Sequence, residues 1–291
     1  MAGEVEDARR LSVEITPASF NRFAELISRE LGIKMSENKI PLLQSRLQRR
    51  LRALGLPSVE EYQRLLFDPE GGAGELTDFI NAVTTNKTDF LREPDHFDFL
   101  VKTVVPAALP DAAARGGLAV WCAGCSTGEE PYTIAMYLAE AARLTPFSYS
   151  IFATDISTKV LRTARHAVYH EALVKPVPPD WRKRYLLRHR DPAKAVVRIG
   201  PELRERVRFA RLNFMDEDFG VREEFDAVYF RNVMIYFDRP TQEKVVRRLC
   251  RHLRPGGYLF IGHSESLIGL ALPLKMVASA VYRRTDDDLH P

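Results

Sequence analysis

The chain has 291 residues, 45% of them hydrophobic and 28% charged, with a formal net charge of +3. This is the composition of an ordinary folded domain, and so small a charge excess does not by itself make a nucleic-acid binder. No apolar run approaches the ~18 residues of a membrane helix. The opening Met1-Ala-Gly-Glu-Val-Glu-Asp7 is too acidic and polar for a secretory signal. Three cysteines are an odd number for a disulfide framework. A cytoplasmic α/β protein with an accessory piece is expected.

Up to about residue 93 the signals are helical. Thr16-Pro17 opens a helix by the cap-then-proline rule, with Phe20, Phe23, Ile27 and Leu31 on one face and Gly32 at its end. A second helix is predicted from about Ser36 to Leu54, its Ile40, Leu43, Leu47, Leu51 and Leu54 forming one stripe before Gly55. It also carries Lys39, Arg46, Arg49, Arg50 and Arg52 with no acid among them. Arg46, Arg49 and Arg50 share a face, which is either solvated surface or a docking face for an acidic partner. RNA would want aromatic side chains among the arginines as a stacking platform, and none are there. Ser58 caps a third helix containing Tyr62, Leu65 and Leu66, and Asp68-Pro-Glu-Gly-Gly-Ala-Gly74 breaks the pattern. A fourth helix is predicted from about Glu75 to Val83. The junction from Thr84 to Pro94 is rich in hydrogen-bonding groups. It is either a solvated linker or a strap that closes over a ligand.

Beyond Pro94 a helix through Phe97, Leu100, Val104 and Val105 is expected to end near Pro106. Strands are predicted at 118–122, 149–154, 207–211, 225–231 and 258–262, with a late edge strand within 274–284. Helices fit between several of them, which gives a parallel sheet covered on both faces. A Pro- and Arg-rich insertion at about 174–206, with a short strand at 196–199, interrupts the pattern. The expected division is a helical N-terminal domain and linker over 1–93, followed by an α/β domain over 94–291.

The most telling stretch is Val120-Trp-Cys-Ala-Gly-Cys-Ser-Thr-Gly-Glu-Glu-Pro-Tyr132. It reads as strand, glycine-containing turn and helix start, where an open α/β sheet binds a nucleotide-like ligand. Glu129 and Glu130 fall in the first helical turn. They either complement the helix dipole or repel a phosphate that the free N–H groups would otherwise attract. A cationic nucleoside without phosphate, S-adenosylmethionine, suits the second option. Cys122 and Cys125 are read as small packing residues, and no metal site is expected. Asp155, at the end of its strand, can accept from ribose hydroxyls, cap the next helix, or both. Asn213 and Phe214 can address an adenine edge and ring, or be a capping Asn beside a core Phe. Arg231 suits a salt bridge, Asn232 a hydrogen-bonding task, and Tyr236 follows just beyond. His263 is read as structural.

Together, Thr85-Asn-Lys-Thr-Asp-Phe-Leu-Arg92, Ser126-Thr-Gly-Glu-Glu-Pro-Tyr132, Ala153-Thr-Asp-Ile156, Arg231-Asn-Val-Met-Ile-Tyr-Phe237 and Gly262-His-Ser-Glu265 resemble the CheR-type chemotaxis receptor methyltransferases. The resemblance runs from about residue 17 to 284. It implies a Rossmann-like class I methyltransferase domain with a small all-helical N-terminal domain and a short inserted subdomain. It implies methyl transfer from S-adenosylmethionine, leaving S-adenosylhomocysteine, to glutamates on the cytoplasmic helical bundle of a chemoreceptor. The enzyme would be a cytoplasmic monomer with no nucleic-acid partner and no membrane insertion. Cofactor contacts would come from Asn86, Thr88, Arg92, Glu130, Asp155, Asn213, Phe214, Arg231 and Asn232. Tyr236 and Arg92 would lie nearest the transferring methyl, and Arg46, Arg49 and Arg50 would face the receptor. Two other readings use the same sheet: a non-catalytic S-adenosylmethionine-sensing adaptor, and an RNA or small-molecule methyltransferase. Some family members tether to a receptor tail through a glycine-bearing hairpin. Here His189-Arg-Asp-Pro-Ala-Lys-Ala195 has no glycine, so tethering is not expected.

Overall fold

Capping and apolar periodicity account for the first of two units, which ends at Thr84. The computed structural model describes residues 14–69 and 72–285; the acidic Met1–Asp7 opening lies outside them. α1 (Pro17–Leu31) starts where the Thr16 hydroxyl accepts from the Ser19 N–H at 3.1 Å, and stops at Gly32, whose φ of 66° only glycine adopts cheaply. α2 (Ile40–Leu54) follows a single 3-10 turn at Glu37–Lys39 and buries Leu43, Leu47 and Leu51. Leu54, the last member of the expected stripe, is exposed. α3 (Val59–Leu66) is capped by Ser58, and α4 (Gly72–Val83) begins three residues before the expected Glu75. Gly72 fits there because a Cβ would meet the Leu66 carbonyl oxygen at 2.6 Å.

Phe23, Tyr62 and Phe79 form the centre of this unit, with ring centroids 5.7 to 6.4 Å apart. Beside them Glu75, nearly buried, accepts from the Arg50 guanidinium at 2.9 and 2.6 Å and from the Tyr62 hydroxyl at 2.6 Å.

The second unit begins at Thr85. α5 (Asp95–Phe99) runs into a π-helical turn, Leu100–Val104, and then α6 (Val105–Ala112). The helix therefore passes Pro106 instead of ending near it. The wide turn tolerates the missing N–H and the bulk of the ring, which a regular α-helix would not. β1 (Leu118–Ala123), α7 (Glu129–Leu144), β2 (Tyr149–Asp155) and α8 (Thr158–His166) come next. The insertion follows, with β3 (Val168–His170), α9 (Pro179–Tyr185), β4 (Leu186–Arg188) and β5 (Val196–Ile199). Its three strands form a small antiparallel sheet in the order β3-β5-β4. Ala195 takes a φ of 45° just before β5, a place where glycine would be easier.

The chain returns through α10 (Pro201–Arg204) to β6 (Val207–Arg211) and β7 (Phe225–Tyr229). α11 (Arg239–Arg251), β8 (Leu253–Phe260), β9 (Leu274–Ala278) and β10 (Val281–Arg284) complete it. The expected late edge strand is thus a hairpin, with β10 antiparallel to both β8 and β9. The main sheet has the order β6-β2-β1-β7-β8-β10-β9, and β6, β2, β1, β7 and β8 pair in parallel. Chain order reverses between β1 and β7, the switch point outside which open sheets bind their ligands. β1 is buried on both faces, so it reads as an unbroken apolar run. Among the described residues no helix is long and apolar enough to cross a membrane.

Glu75→Ala strands a guanidinium and a phenol inside the helical unit. The expected cost is about 3 kcal/mol, read from the urea midpoint of the full chain.

Candidate functional site

The turn after β1 is built on backbone that side chains would obstruct. Gly124 has a φ of 92°, and a Cβ there would come 2.7 Å from Val233 Cγ2. Gly128 has a φ of 101°, and its Cβ would meet the Tyr169 hydroxyl at 2.6 Å and the Ala164 Cβ at 3.0 Å. Between them Ser126 is left-handed, with a φ of 48°. Its N–H donates to Asp155 Oδ2 at 2.9 Å and its hydroxyl donates to the Asn86 carbonyl at 2.9 Å. The linker is therefore fastened to the turn, which the bare sequence left open.

Asp155 is buried at the end of β2 and its Oδ1 accepts from the Ser157 N–H at 2.9 Å. The cap of α8 is Ser157, not Asp155. The backbone of Ile156 also donates to this carboxylate, so three of its roughly four acceptor positions are filled by the protein itself. Burial pushes its carboxyl above the usual range, opposed by the backbone N–H groups.

Arg231 follows β7 with its side chain only 1% exposed. It donates to Glu130 Oε2 at 2.8 Å, to Glu93 Oε2 at 3.0 Å and to the Arg92 carbonyl at 2.5 Å. These bonds use its two terminal nitrogens, while its buried Nε has no hydrogen-bond partner. Glu130 also accepts from the Cys122 thiol at 3.2 Å. Glu129 is buried and accepts from the Thr127 hydroxyl at 2.6 Å, and burial raises its carboxyl. Of the two carboxylates in the first turn of α7, Glu130 is thus paired with Arg231 and Glu129 is buried. Burial likewise holds the Cys122 and Cys125 thiols up, away from thiolate chemistry.

Asn232 is left-handed, with a φ of 58°, and lies so close to Gly262 that any Cβ there would strike its amide. Glu265 gathers this loop: its Oε2 accepts from the N–H groups of Asn232 at 2.8 Å and Gly262 at 2.7 Å, and its Oε1 from that of Ile235 at 3.3 Å. Tyr236 closes the short 3-10 turn Met234–Tyr236 and is partly exposed. Asn213 Oδ1 accepts from the Met215 N–H at 3.0 Å, and Phe214 packs edge-on against Phe230 at 5.0 Å. Both follow β6, whose Arg211 pairs with Asp155 in register, so they share the edge with Asp155. In the linker Thr88 is partly exposed, and Arg92, 35% exposed, donates to the Lys87 carbonyl at 3.4 Å.

Hydrogen bonds join Asn86 to Asp155 through Ser126, and separately join Arg92 and Glu130 to Arg231; sheet register adds Asn213, Phe214 and Asn232. Arg46, Arg49 and Arg50 belong to the helical unit. There Arg46 donates to the Val83 carbonyl, Arg50 binds Glu75 and Asp78, and Arg49 is exposed. Ser126, Glu93 and Glu265 were not singled out by their chemistry. The sequence holds a signal only for Glu265, which stands three residues after Gly262 as a capping acid would.

His96 is buried between Arg231 and Glu93, and burial first, then Arg231, lowers its pKa to about 4. Its ring meets that of His263 at 4.7 Å, and His263 Nε2 lies 3.0 Å from Asp95 Oδ2.

The edge offers carboxylate lone pairs, amides and hydroxyls, and its one buried cation is already paired. That donor set fits a nucleoside bearing positive charge better than a pyrophosphate. Residues 86–283 match the family model described as "CheR methyltransferase, SAM binding domain", and residues 18–84 match "CheR methyltransferase, all-alpha domain". The chain is similar to the chemotaxis protein methyltransferase of Escherichia coli, 40% identical over 275 residues, covering 94% of this chain and 93% of that one. It is 38% identical over 273 residues to the chemotaxis protein methyltransferase of Salmonella typhimurium, covering 94% and 92%. With chemotaxis protein methyltransferase 2 of Pseudomonas aeruginosa the identity is 40% over 267 residues, covering 92% and 93%.

Two outcomes are expected. Asp155→Ala should weaken S-adenosylmethionine binding about tenfold or more by calorimetry, since it removes the acceptor and loosens the Ser126 turn; unchanged affinity would remove Asp155 from the site. For His96, an unfolded pKa near 6.5 and a folded value of about 4 mean that the unfolded chain protonates first as pH falls. Stability should therefore hold above pH ~6.5 and decline by about 2–3 kcal/mol toward pH ~4. Urea midpoints across that range should show a shallower decline in a His96→Phe variant.

Proposed function

The chain belongs to the CheR methyltransferase family, and on that premise we propose that it methylates glutamate side chains on the cytoplasmic helical bundle of a chemoreceptor. Methyl transfer dependent on S-adenosylmethionine follows from the family itself; the acceptor and the residue roles are the inference. The product is a glutamyl methyl ester and S-adenosylhomocysteine, formed by a monomer acting in the cytoplasm.

The observation that carries this reading is an edge crowded with acceptors and buried carboxylates, with no poised base among the described residues. A glutamate acceptor needs none, because with an ordinary pKa of about 4.3 it is already a nucleophile at neutral pH. S-adenosylmethionine supplies the methyl group on a sulfonium that leaves readily. The protein has to bind, align and exclude water. Asp155 accepts from a ribose hydroxyl at the acceptor position that its three backbone donors leave. Asn213 and Phe214 flank the adenine, while Asn86, Thr88, Glu130, Asn232 and the Arg231 backbone complete the cradle. Tyr236 and Arg92 orient the incoming carboxylate. Orientation of this kind supplies roughly 7–11 kcal/mol, and a site closed to water favours a reaction in which opposite charges cancel.

Docking of the acidic receptor helices falls to the basic face of α2. Arg46 and Arg50 are engaged within the helical unit, so the load narrows to the exposed Arg49.

The test uses labelled S-adenosylmethionine and a receptor cytoplasmic fragment. Label should transfer to the fragment and be released as methanol by mild base. Base-stable label, or cofactor binding without transfer, would refute a glutamyl ester. Arg49→Glu should raise KM for the fragment about tenfold with cofactor affinity unchanged.

A further inference from the structure

Where the end of the linker meets the loop after β8, four side chains gather that methyl transfer does not use as reactants: Glu93, Asp95, His96 and His263. One ligand-capable atom from each of Glu93, His96 and His263 lies within 4.8 Å of the other two. His96 is 1% exposed, and both its ring nitrogens are buried without a hydrogen-bond partner. Buried polar atoms are seldom left so, and an ion or water is the usual answer. Its ring is fixed by edge contacts to Phe260 at 5.6 Å and His263 at 4.7 Å. Its Nδ1 stands 3.6 Å from Glu93 Oε2, too far for a hydrogen bond. The gap is close to the roughly 3.3 Å between two ligand atoms that zinc bonds of about 2.0–2.1 Å impose. His263 Nε2 is held by Asp95 at 3.0 Å, the carboxylate–histidine arrangement that orients imidazole ligands.

We propose that Glu93, His96 and His263 form a zinc-binding site, with Asp95 orienting His263. Two imidazoles and one carboxylate oxygen are the three-ligand set that zinc accepts with a fourth position open. Calcium and magnesium want a shell made mostly of oxygen donors, whereas two of the three ligands here are imidazoles. Oε2 of Glu93, the oxygen nearest His96, also accepts from Arg231 at 3.0 Å and from the His263 N–H at 3.3 Å, so zinc ligation requires this carboxylate to rotate and present Oε1. The carboxylates of Glu93, Asp95 and Glu130 outnumber the neighbouring guanidiniums of Arg231 and Arg92, which suits a dication. Coordination requires the ligand atoms to close by about 1.5 Å at most. His263, exposed and lying in a loop, provides that movement. A bound ion would cross-link residues 93–96 to the loop in which Glu265 holds Asn232 and Ile235.

The experiment titrates zinc chloride into metal-free full-length protein, with calorimetry and thermal melting as readouts and cobalt absorbance in the visible as a check on nitrogen ligation. The expected result is one zinc per chain and a melting temperature raised by several degrees. His263→Ala, at an exposed position, should keep the metal-free melting temperature but lose both effects. Asp95→Asn should weaken zinc binding about tenfold or more. Zinc binding equal in the wild type and His263→Ala, as would occur at Cys122 and Cys125, overturns the proposal, and so does a wild type that binds none.

Discussion

The buried guanidinium of Arg231 is the constraint on which the functional edge depends. It projects from the end of β7 and reaches Glu130 on α7, Glu93 in the linker and the Arg92 carbonyl beside it. Three chain segments far apart in sequence are thereby drawn to one point. A buried ion pair of this kind contributes little net stability over an apolar substitute, yet removing one partner leaves uncompensated charge and costs about 3–5 kcal/mol. Its worth is positional: Arg92 and Glu93 are held where the linker passes the ends of β1 and β7.

A second pattern runs through the site. Two of its carboxylates bind the protein's own backbone: Asp155 takes the N–H groups of Ser126 and Ser157, and Glu265 takes those of Asn232, Gly262 and Ile235. Each gathers amides that a sharp turn would otherwise leave unsatisfied inside the fold. Such turns bring backbone close to a ligand, and the carboxylates hold them in shape before any ligand arrives.

Much of the architecture was legible in the chain. Thr16-Pro17, Gly32 and Ser58 marked helix ends because capping is local chemistry. β1, β2 and β7 showed as largely apolar runs because they are almost wholly buried. What escaped depended on partners distant in sequence. Nothing near Pro106 announces the π turn, and β3 and β4 are three residues each, too short for alternation to register. Arg46, Arg49 and Arg50 looked equivalent on a helical wheel, but Glu75 and the Val83 carbonyl, beyond the range of helical spacing, claim two of them. The placement of Asp155 at the end of β2, and of Asn232 and Tyr236 in the segment after β7, was legible in the sequence. The service of Asp155 to Ser126, and the engagement of Arg231, required the fold.

Leu91, Glu93, Ser126 and Asn232 all adopt left-handed backbone without being glycine, and all four border the same edge. Such conformations cost roughly 1 kcal/mol or more apiece, and they are held in place by the hydrogen bonds around them. The edge is thus a sprung frame, and local opening there would release that strain. A guest that engages Asp155 and Asn213 would quiet that breathing in the linker, the turn after β1 and the loop after β7 together, so three stretches scattered along the chain would acquire slowed amide exchange as a single block.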